Sequence, residues 1–109
     1  MLTKEVKTSV GTWKIRTPKS GPRNKALIDA NTGGDYNPVL FFVSLLPSCI
    51  LERPESFDRD VPIVQVLDDL EPPDYDKLMQ GLREIMEEQE KELQQKKTNS
   101  DQPTNPPNS

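Results

Sequence analysis

Histidine is absent from this sequence, and cysteine occurs once, at position 49. Without histidine, neither a Ser–His nor a Cys–His catalytic pair can be assembled. One cysteine cannot fill a structural zinc site or close a disulfide within the chain, and this scarcity is typical of a reducing compartment. Gly33-Gly34 is not followed by the Lys-Ser/Thr of a phosphate-binding loop. We therefore expect no enzyme, no metal, no cofactor and a cytoplasmic location.

Apolar residues are also few. Hydrophobic residues make up 32% of the 109 and aromatic residues 6%, whereas about half of an ordinary domain is apolar. The chain can therefore build one domain with a small core. The longest apolar run, residues 39–46, is too short to span a bilayer. Lys4, Glu5 and Lys7 interrupt any apolar segment of a signal peptide, so we expect no membrane association.

The charge of the chain is unevenly placed. Residues 1–25 contain seven Lys or Arg and one acid, while the remainder contains seven basic and seventeen acidic residues, and the total is −4. Such asymmetry indicates either self-complementary packing or a polar partner. The basic segment surrounds Trp13, which keeps open an alternative function as a small nucleic-acid-associated regulatory protein. The acidic residues between 68 and 76 lack the spacing of a calcium loop and favour a solvated helix start.

The most informative stretch runs from Asp74 to about Lys97. Its apolar residues recur at the spacing of one helical stripe and are Tyr75, Leu78, Met79, Leu82, Ile85 and Met86. Pro72 and Pro73 precede Asp74, which is a suitable N-cap. Polar residues replace the stripe after Met86. We expect Leu78, Leu82 and Ile85 in the core and the rest of this helix in water.

The N-terminal piece, residues 1–16, alternates weakly between apolar and polar residues. This pattern predicts short strands that turn near Ser9 to Gly11. Trp13 and Ile15 lie two residues apart and would share one face. The expected fold class is therefore mainly α with a small N-terminal β element, an α+β fold. The domain would comprise residues 1–97, helical over 22–97, with a disordered tail at 98–109.

Two helices are expected before residue 50. Pro22 is a good first residue for a helix over residues 22–30. Asn37 as N-cap and Pro38 at the first position predict a second helix over residues 39–46, with a buried strand as the competing interpretation. Because this segment is apolar nearly all round, it should be the central helix. Pro47 should end or kink it, and residues 48–51 could resume for a turn.

Residues 61–70 fit either a strand or a short helix. The strand interpretation depends on Val61, Ile63, Val64 and Val66. The helix interpretation, which we prefer, places Asp60 at the N-cap. The side chains on one face of this helix would be those of Ile63, Val64, Leu67 and Leu70.

The order of these elements resembles the small tail assembly chaperones of tailed phages and prophages. The resemblance covers about residues 13–90 and depends on layout rather than on a catalytic signature. Its segments are Trp13–Arg16, the helix around Lys25–Ala30, Leu45–Ile50, Val66–Leu70 and Asp74–Leu78. Related baseplate assembly proteins share a similar layout.

This resemblance implies a non-enzymatic role. Such chaperones coat the long helical tape measure protein before the tail tube polymerises, and they often self-associate. The expected partner is thus an apolar helical segment of another tail protein. Methionines suit such sequence-tolerant contacts. The candidate partner-binding residues are Phe41, Phe42, Tyr75, Met79 and Met86.

Overall fold

Three strands and four helices make up the part of the chain that the structure describes. This computed structural model describes the backbone of residues 1–101 and the side chains of residues 1–95. The elements are β1 (Thr3–Thr8), β2 (Gly11–Arg16), α1 (Ser20–Ala30), α2 (Pro38–Cys49), β3 (Ile50–Glu52), α3 (Ile63–Asp68) and α4 (Pro72–Asp101). The predicted α+β fold class is confirmed. The tail was predicted for residues 98–109, but α4 continues to Asp101, and residues 102–109 lie outside the described residues.

The N-terminal hairpin forms as predicted. Strands β1 and β2 pair antiparallel, with Val6 opposite Trp13 and Ile15 two residues further along β2. Both Trp13 and Ile15 are fully buried on the shared face. The indole nitrogen of Trp13 donates a hydrogen bond of 2.9 Å to Thr8 Oγ1, so its one polar atom is satisfied inside the core.

The third strand was not predicted. Of residues 48–51, which could resume the helix for a turn, residues 48 and 49 are helical as the end of α2. Ile50–Glu52 instead pairs antiparallel with β2 and completes a sheet of order β1-β2-β3. Ile50 lies opposite Ile15, and Glu52 lies opposite Lys14. A strand of three residues carries no periodicity of its own. It forms because the open edge of β2 supplies its hydrogen-bond partners.

Helix α2 begins as predicted, but Pro47 does not end it. The Asn37 side chain accepts hydrogen bonds from the backbone N–H groups of the first turn, at 3.1 Å from Val39. Pro47 lies inside the helix, which continues to Cys49. A proline leaves the carbonyl of the residue four positions earlier without its donor. That residue is Val43, which is exposed, so water can bind its carbonyl.

Helix α1 begins two residues earlier than predicted, at Ser20 instead of Pro22. Its cap position makes no side-chain hydrogen bond. Pro22 therefore occupies the third position of the helix. The first-turn N–H groups need no partner inside the helix, so proline is tolerated there as well as at the first position.

The short helix α3 confirms the helical interpretation of residues 61–70, with two differences. Its N-cap is Pro62, not Asp60. The backbone N–H of Asp60 instead bonds to Asp58 Oδ1 at 2.9 Å, which holds these residues in a turn before the helix. Its buried side chains are Val66 and Leu67, the latter as predicted, whereas Val64, which was predicted to face inward, is 53% exposed.

Helix α4 is the spine of the core. Leu78, Leu82 and Ile85 are all buried, as predicted. Between them lies Gly81, and a Cβ atom at this position would lie 2.7 Å from Val6 Cγ2. Glycine in a helix interior costs about 1 kcal/mol relative to alanine. Here it lets the backbone of α4 approach the hairpin more closely than any other residue would allow.

Two polar links also join α4 to β1 and its turn. Helix α4 begins at Pro72, so Asp74 is not its N-cap. The Asp74 carboxylate instead accepts hydrogen bonds from Ser9, at 2.5 Å from Oγ and 2.9 Å from the backbone nitrogen. These bonds lower the pKa of Asp74. One turn beyond Gly81, Lys4 Nζ lies 2.7 Å from Glu84 Oε1.

Candidate partner-binding groove

A groove of about 510 Å³ lies between α2, α4 and the segment that leads into α1. We call it the α2–α4 groove. It is lined by Pro18, Arg23, Phe42, Arg83, Met86, Glu87, Gln89, Glu90 and Leu93. Its apolar members come from three separate parts of the chain, and they leave a surface that no side chain of the described residues fills.

The α2 side of the groove is built around Phe42. Its ring is half-buried and packs edge-to-face on Phe41, with the centroids 5.2 Å apart. The guanidinium carbon of Arg83 lies 5.4 Å from the centre of the Phe42 ring. This distance is within the range of a cation–π contact. The arginine therefore covers one face of an aromatic ring that would otherwise be open to water.

The α4 side of the groove is the place where the helix leaves the core. Ile85 is buried, Met86 is half-buried and Leu93 is 58% exposed. Leu93 follows Met86 by seven residues, about two helical turns, so both lie on one side of α4. The apolar stripe thus continues past the last residue that the domain can cover.

Gln89 contributes an unsatisfied polar atom to this groove. Its Oε1 is buried and has no hydrogen-bond partner among the described residues. A buried acceptor without a partner costs about 1–3 kcal/mol. Before the structure, only its position on the fading stripe of α4 marked Gln89.

A second apolar surface lies on α2 itself. We call Val39, Leu40 and Val43 the α2 face; all three are exposed, and Val39 is 60% exposed. The prediction of a central helix buried on every side is therefore wrong. The chain has too few apolar segments to surround α2, which buries only the side that carries Phe41 and Leu45.

The structure separates the five predicted contact residues into three groups. Phe42 and Met86 lie together in the α2–α4 groove. Phe41 and Met79 are buried in the core and cannot contact a partner in this fold, which corrects their assignment. Both lie on apolar stripes whose inner and outer members look alike in sequence. Tyr75 is half-buried, about 16 Å along the helix axis from Met86.

Cys49 and Tyr75 have raised pKa values, and neither residue lines the groove. Cys49 is fully buried, and burial raises the pKa of its thiol to about 11. It is therefore protonated at neutral pH and is a poor nucleophile. Burial also raises the pKa of Tyr75, and the neighbouring Asp68 and Asp76 add to this effect. Within the described residues, no cluster of acids and cysteine could hold a metal ion.

Two of the seven basic residues in the N-terminal segment lie beside acidic residues of the same chain. Lys4 forms an ion pair with Glu84 of α4. Lys14, in the middle strand, lies opposite Glu5 on one side and Glu52 on the other. For these two residues the arrangement agrees with the self-complementary packing that the charge asymmetry indicated.

Comparisons with known proteins add no relative: no family model, no curated protein and no solved structure matches this chain. The resemblance to tail assembly chaperones therefore stays a prediction from the sequence. None of the described helices has the length and apolar composition that crossing a bilayer requires.

Proposed function

We propose that this protein is a non-enzymatic assembly chaperone that binds an apolar helical segment of another protein in the α2–α4 groove. The observation that carries the proposal is the open apolar surface of Phe42, Met86 and Leu93 where α4 leaves the core. Exposed apolar surface of this kind marks contact sites in small domains. The α2 face adds further uncovered apolar area beside it.

A helix is the occupant that fits this groove best. Two helices border it, and an amphipathic helix can lay its apolar stripe between them. Met86 supplies a flexible side chain that adapts to different apolar partners. The rim carries Arg23 and Arg83 as well as Glu87 and Glu90. A partner helix with both signs of charge beside its apolar stripe therefore meets complementary groups.

The identity of the partner comes from the resemblance alone. If the chain acts as a tail assembly chaperone, its partner is the tape measure protein, whose long helical segments need shielding before the tail tube forms. The charged surface of α4 beyond Met86 would keep such a complex dispersed. The site of action would be the cytoplasm of the host cell.

The nucleic-acid alternative is less well supported. Binding to a duplex through residues 1–25 needs free basic side chains along one surface. Lys4 and Lys14 instead lie beside Glu84, Glu5 and Glu52. The two functions differ in their response to salt, because apolar burial is not screened by ions, whereas contacts with phosphates weaken steeply.

The test is a titration of the full chain against a long amphipathic helical fragment of a tape measure protein. Leu93→Glu places a charge in the groove and should weaken binding about tenfold or more, equivalent to about 1.4 kcal/mol. Val64→Glu is the matched control, because Val64 is similarly exposed, at 53% against 58%, and lies outside the groove. The control should bind like the unmodified chain.

The same titration is repeated with a nucleic acid duplex at low and at high salt. Binding of the helical fragment should persist at high salt, and binding of the duplex should be weak at both. Tight, salt-sensitive duplex binding together with no affinity for the fragment would favour the regulatory alternative. Equal loss of fragment binding in Leu93→Glu and Val64→Glu would move the site away from the groove.

A further inference from the structure

The outer edge of β1 is an unused hydrogen-bonding surface. Strand β1 is the first strand of the sheet and has β2 on one side only. Within the described residues, no backbone group on the other side of Thr3–Thr8 has a hydrogen-bond partner in the protein. A strand with an open edge is a template for a further strand. The residues at this edge determine which strand can pair with it.

The pairing register identifies the groups at this edge. Thr17 N donates to Leu2 O at 3.0 Å, so these two residues form a hydrogen-bonded pair. Hydrogen-bonded and non-hydrogen-bonded pairs alternate along an antiparallel ladder. Every second residue of β1 therefore bonds to β2. The residues between them, Thr3, Glu5 and Lys7, direct their N–H and C=O groups to the open edge.

The same three residues present their side chains to solvent. Val6 lies opposite Trp13 on the buried face of the sheet. Because side chains alternate between faces, Thr3, Glu5 and Lys7 lie on the outer face, and all three are exposed. The edge thus combines free backbone groups with one negative and one positive side chain, spaced two residues apart.

We propose that a second copy of this chain adds its β1 to this edge, antiparallel, around a two-fold axis at Val6. In this register Glu5 of each copy lies directly opposite Lys7 of the other, so the interface contains two ion pairs. A register centred on Glu5 or on Lys7 would place like charges opposite each other, which is unfavourable. The charge pattern therefore selects one self-complementary register, as an isologous contact requires.

The inner face of the edge is compatible with this pairing. Lys4 lies on that face, and its charge is neutralised by Glu84 of the same chain at 2.7 Å. The axis itself brings two Val6 side chains together. The contact is small, with about four backbone hydrogen bonds at the two central pairs. It is therefore a weak dimer contact that forms at high local concentration, and it does not use the α2–α4 groove.

Sedimentation equilibrium of the full chain from about 10 μM to about 1 mM tests the proposal. The unmodified chain should show a monomer–dimer equilibrium. Lys7→Glu makes both charges of the edge negative, and Glu5→Lys makes both positive. Each variant alone should dimerise at least about tenfold more weakly. An equimolar mixture of the two variants should regain association, because the acidic edge now meets the basic edge.

Two controls keep the result specific. Lys25→Glu makes the same charge change on exposed α1 and should leave dimerisation unchanged. Circular dichroism verifies that each variant is folded, which matters for Glu5→Lys because Lys14 lies opposite that position. A monomer throughout the concentration range would overturn the proposal. So would dimerisation that is unaffected by Lys7→Glu or that is not restored in the mixture.

Amide hydrogen exchange gives a second measurement that does not depend on substitutions. As concentration rises, the amides of Glu5 and Lys7 should become protected. Those of the alternate β1 residues, which already bond to β2, should change little. Protection gained along α4 in place of this alternating pattern would assign the association to the groove and would contradict the edge pairing.

Discussion

The two halves of α4 differ in what surrounds them. From Tyr75 to Met86 the helix carries an apolar stripe that packs on the hairpin and on α2. From Glu90 to Gln95 every side chain is exposed. Leu82 and Leu93 make the contrast clear, since they lie on the same side of the helix, about three turns apart. Leu82 is fully buried, and Leu93 is 58% exposed.

Burial along α4 is therefore decided by the neighbouring elements and not by the residue type. The sheet and α2 cover α4 for only part of its length. Where this cover ends, the stripe continues through Met86 and Leu93 and forms one wall of the α2–α4 groove. The same helix thus provides the core of the domain and the surface that we propose for partner binding.

Alanine substitutions at the two leucines should differ most in their effect on the free energy of unfolding. Leu82→Ala should lower the free energy of unfolding by about 2–5 kcal/mol, because it leaves a cavity under the hairpin. Leu93→Ala should change it by less than about 0.5 kcal/mol. Urea denaturation of both variants measures the two free energies of unfolding. Similar losses in the two would mean that the extension of α4 is packed in the monomer.

Glycine substitutions sharpen the account of how α4 meets the sheet. Gly81→Ala should destabilise the fold by about 1–3 kcal/mol despite the better helix propensity of alanine, because its Cβ would overlap Val6. Gly21→Ala in α1 is the matched control, since a Cβ there meets nothing within 4 Å. It should stabilise the protein by up to about 1 kcal/mol. A stabilising Gly81→Ala would show that α4 does not approach the hairpin this closely.

The link between α4 and the hairpin turn predicts a pH dependence. Hydrogen bonds from Ser9 lower the pKa of Asp74 below its usual value of 3.8. The Asp74 carboxylate therefore binds a proton more readily in the unfolded chain than in the folded one. The stabilisation is complete above pH 3.8 and is lost as the pH falls through the pKa of Asp74 in the folded protein. Asp74→Asn should lower the melting temperature at pH 7, and the difference from the unmodified chain should shrink towards pH 2.

Asp76→Asn is the control for this experiment. It removes the same charge two residues away, where the side chain is exposed. Over the whole pH range, the melting temperature of Asp76→Asn should stay close to that of the unmodified chain. The melting temperature of Asp74→Asn should differ more. Equal effects of the two substitutions at pH 7 would attribute the stabilisation to general charge and not to the Ser9 contact.

Local signals in the sequence predicted the parts of the fold that local forces determine. The stripe from Tyr75 to Met86 fixes the buried side of α4, and the spacing of Trp13 and Ile15 fixes the buried side of β2. Asn37 caps α2 through its own side chain. In each case the cause lies within a few residues of the effect, so it can be read from the sequence.

Features that depend on distant neighbours were not predicted. Ile50 belongs to a strand only because β2 leaves an edge for it. Val39 looks like a core residue and is exposed, since no other element of the described residues covers it. The groove was only half predicted. Phe42 and Met86 were named, but Arg83 is by sequence an ordinary charged residue and Leu93 a single leucine in a charged extension, and only tertiary packing places both with Phe42 in the groove.

Amide hydrogen exchange along α4 in the free monomer, at low concentration, is the most direct test of whether the packing of this helix ends after Met86. Exchange slows where helix and tertiary packing act together and approaches that of a frayed helix where packing is absent. The account predicts strong protection from Leu78 to Met86 and a steep fall from Gln89 to Gln95. Uniform protection across both halves would contradict it, because the extension would then be packed and the groove would not be open.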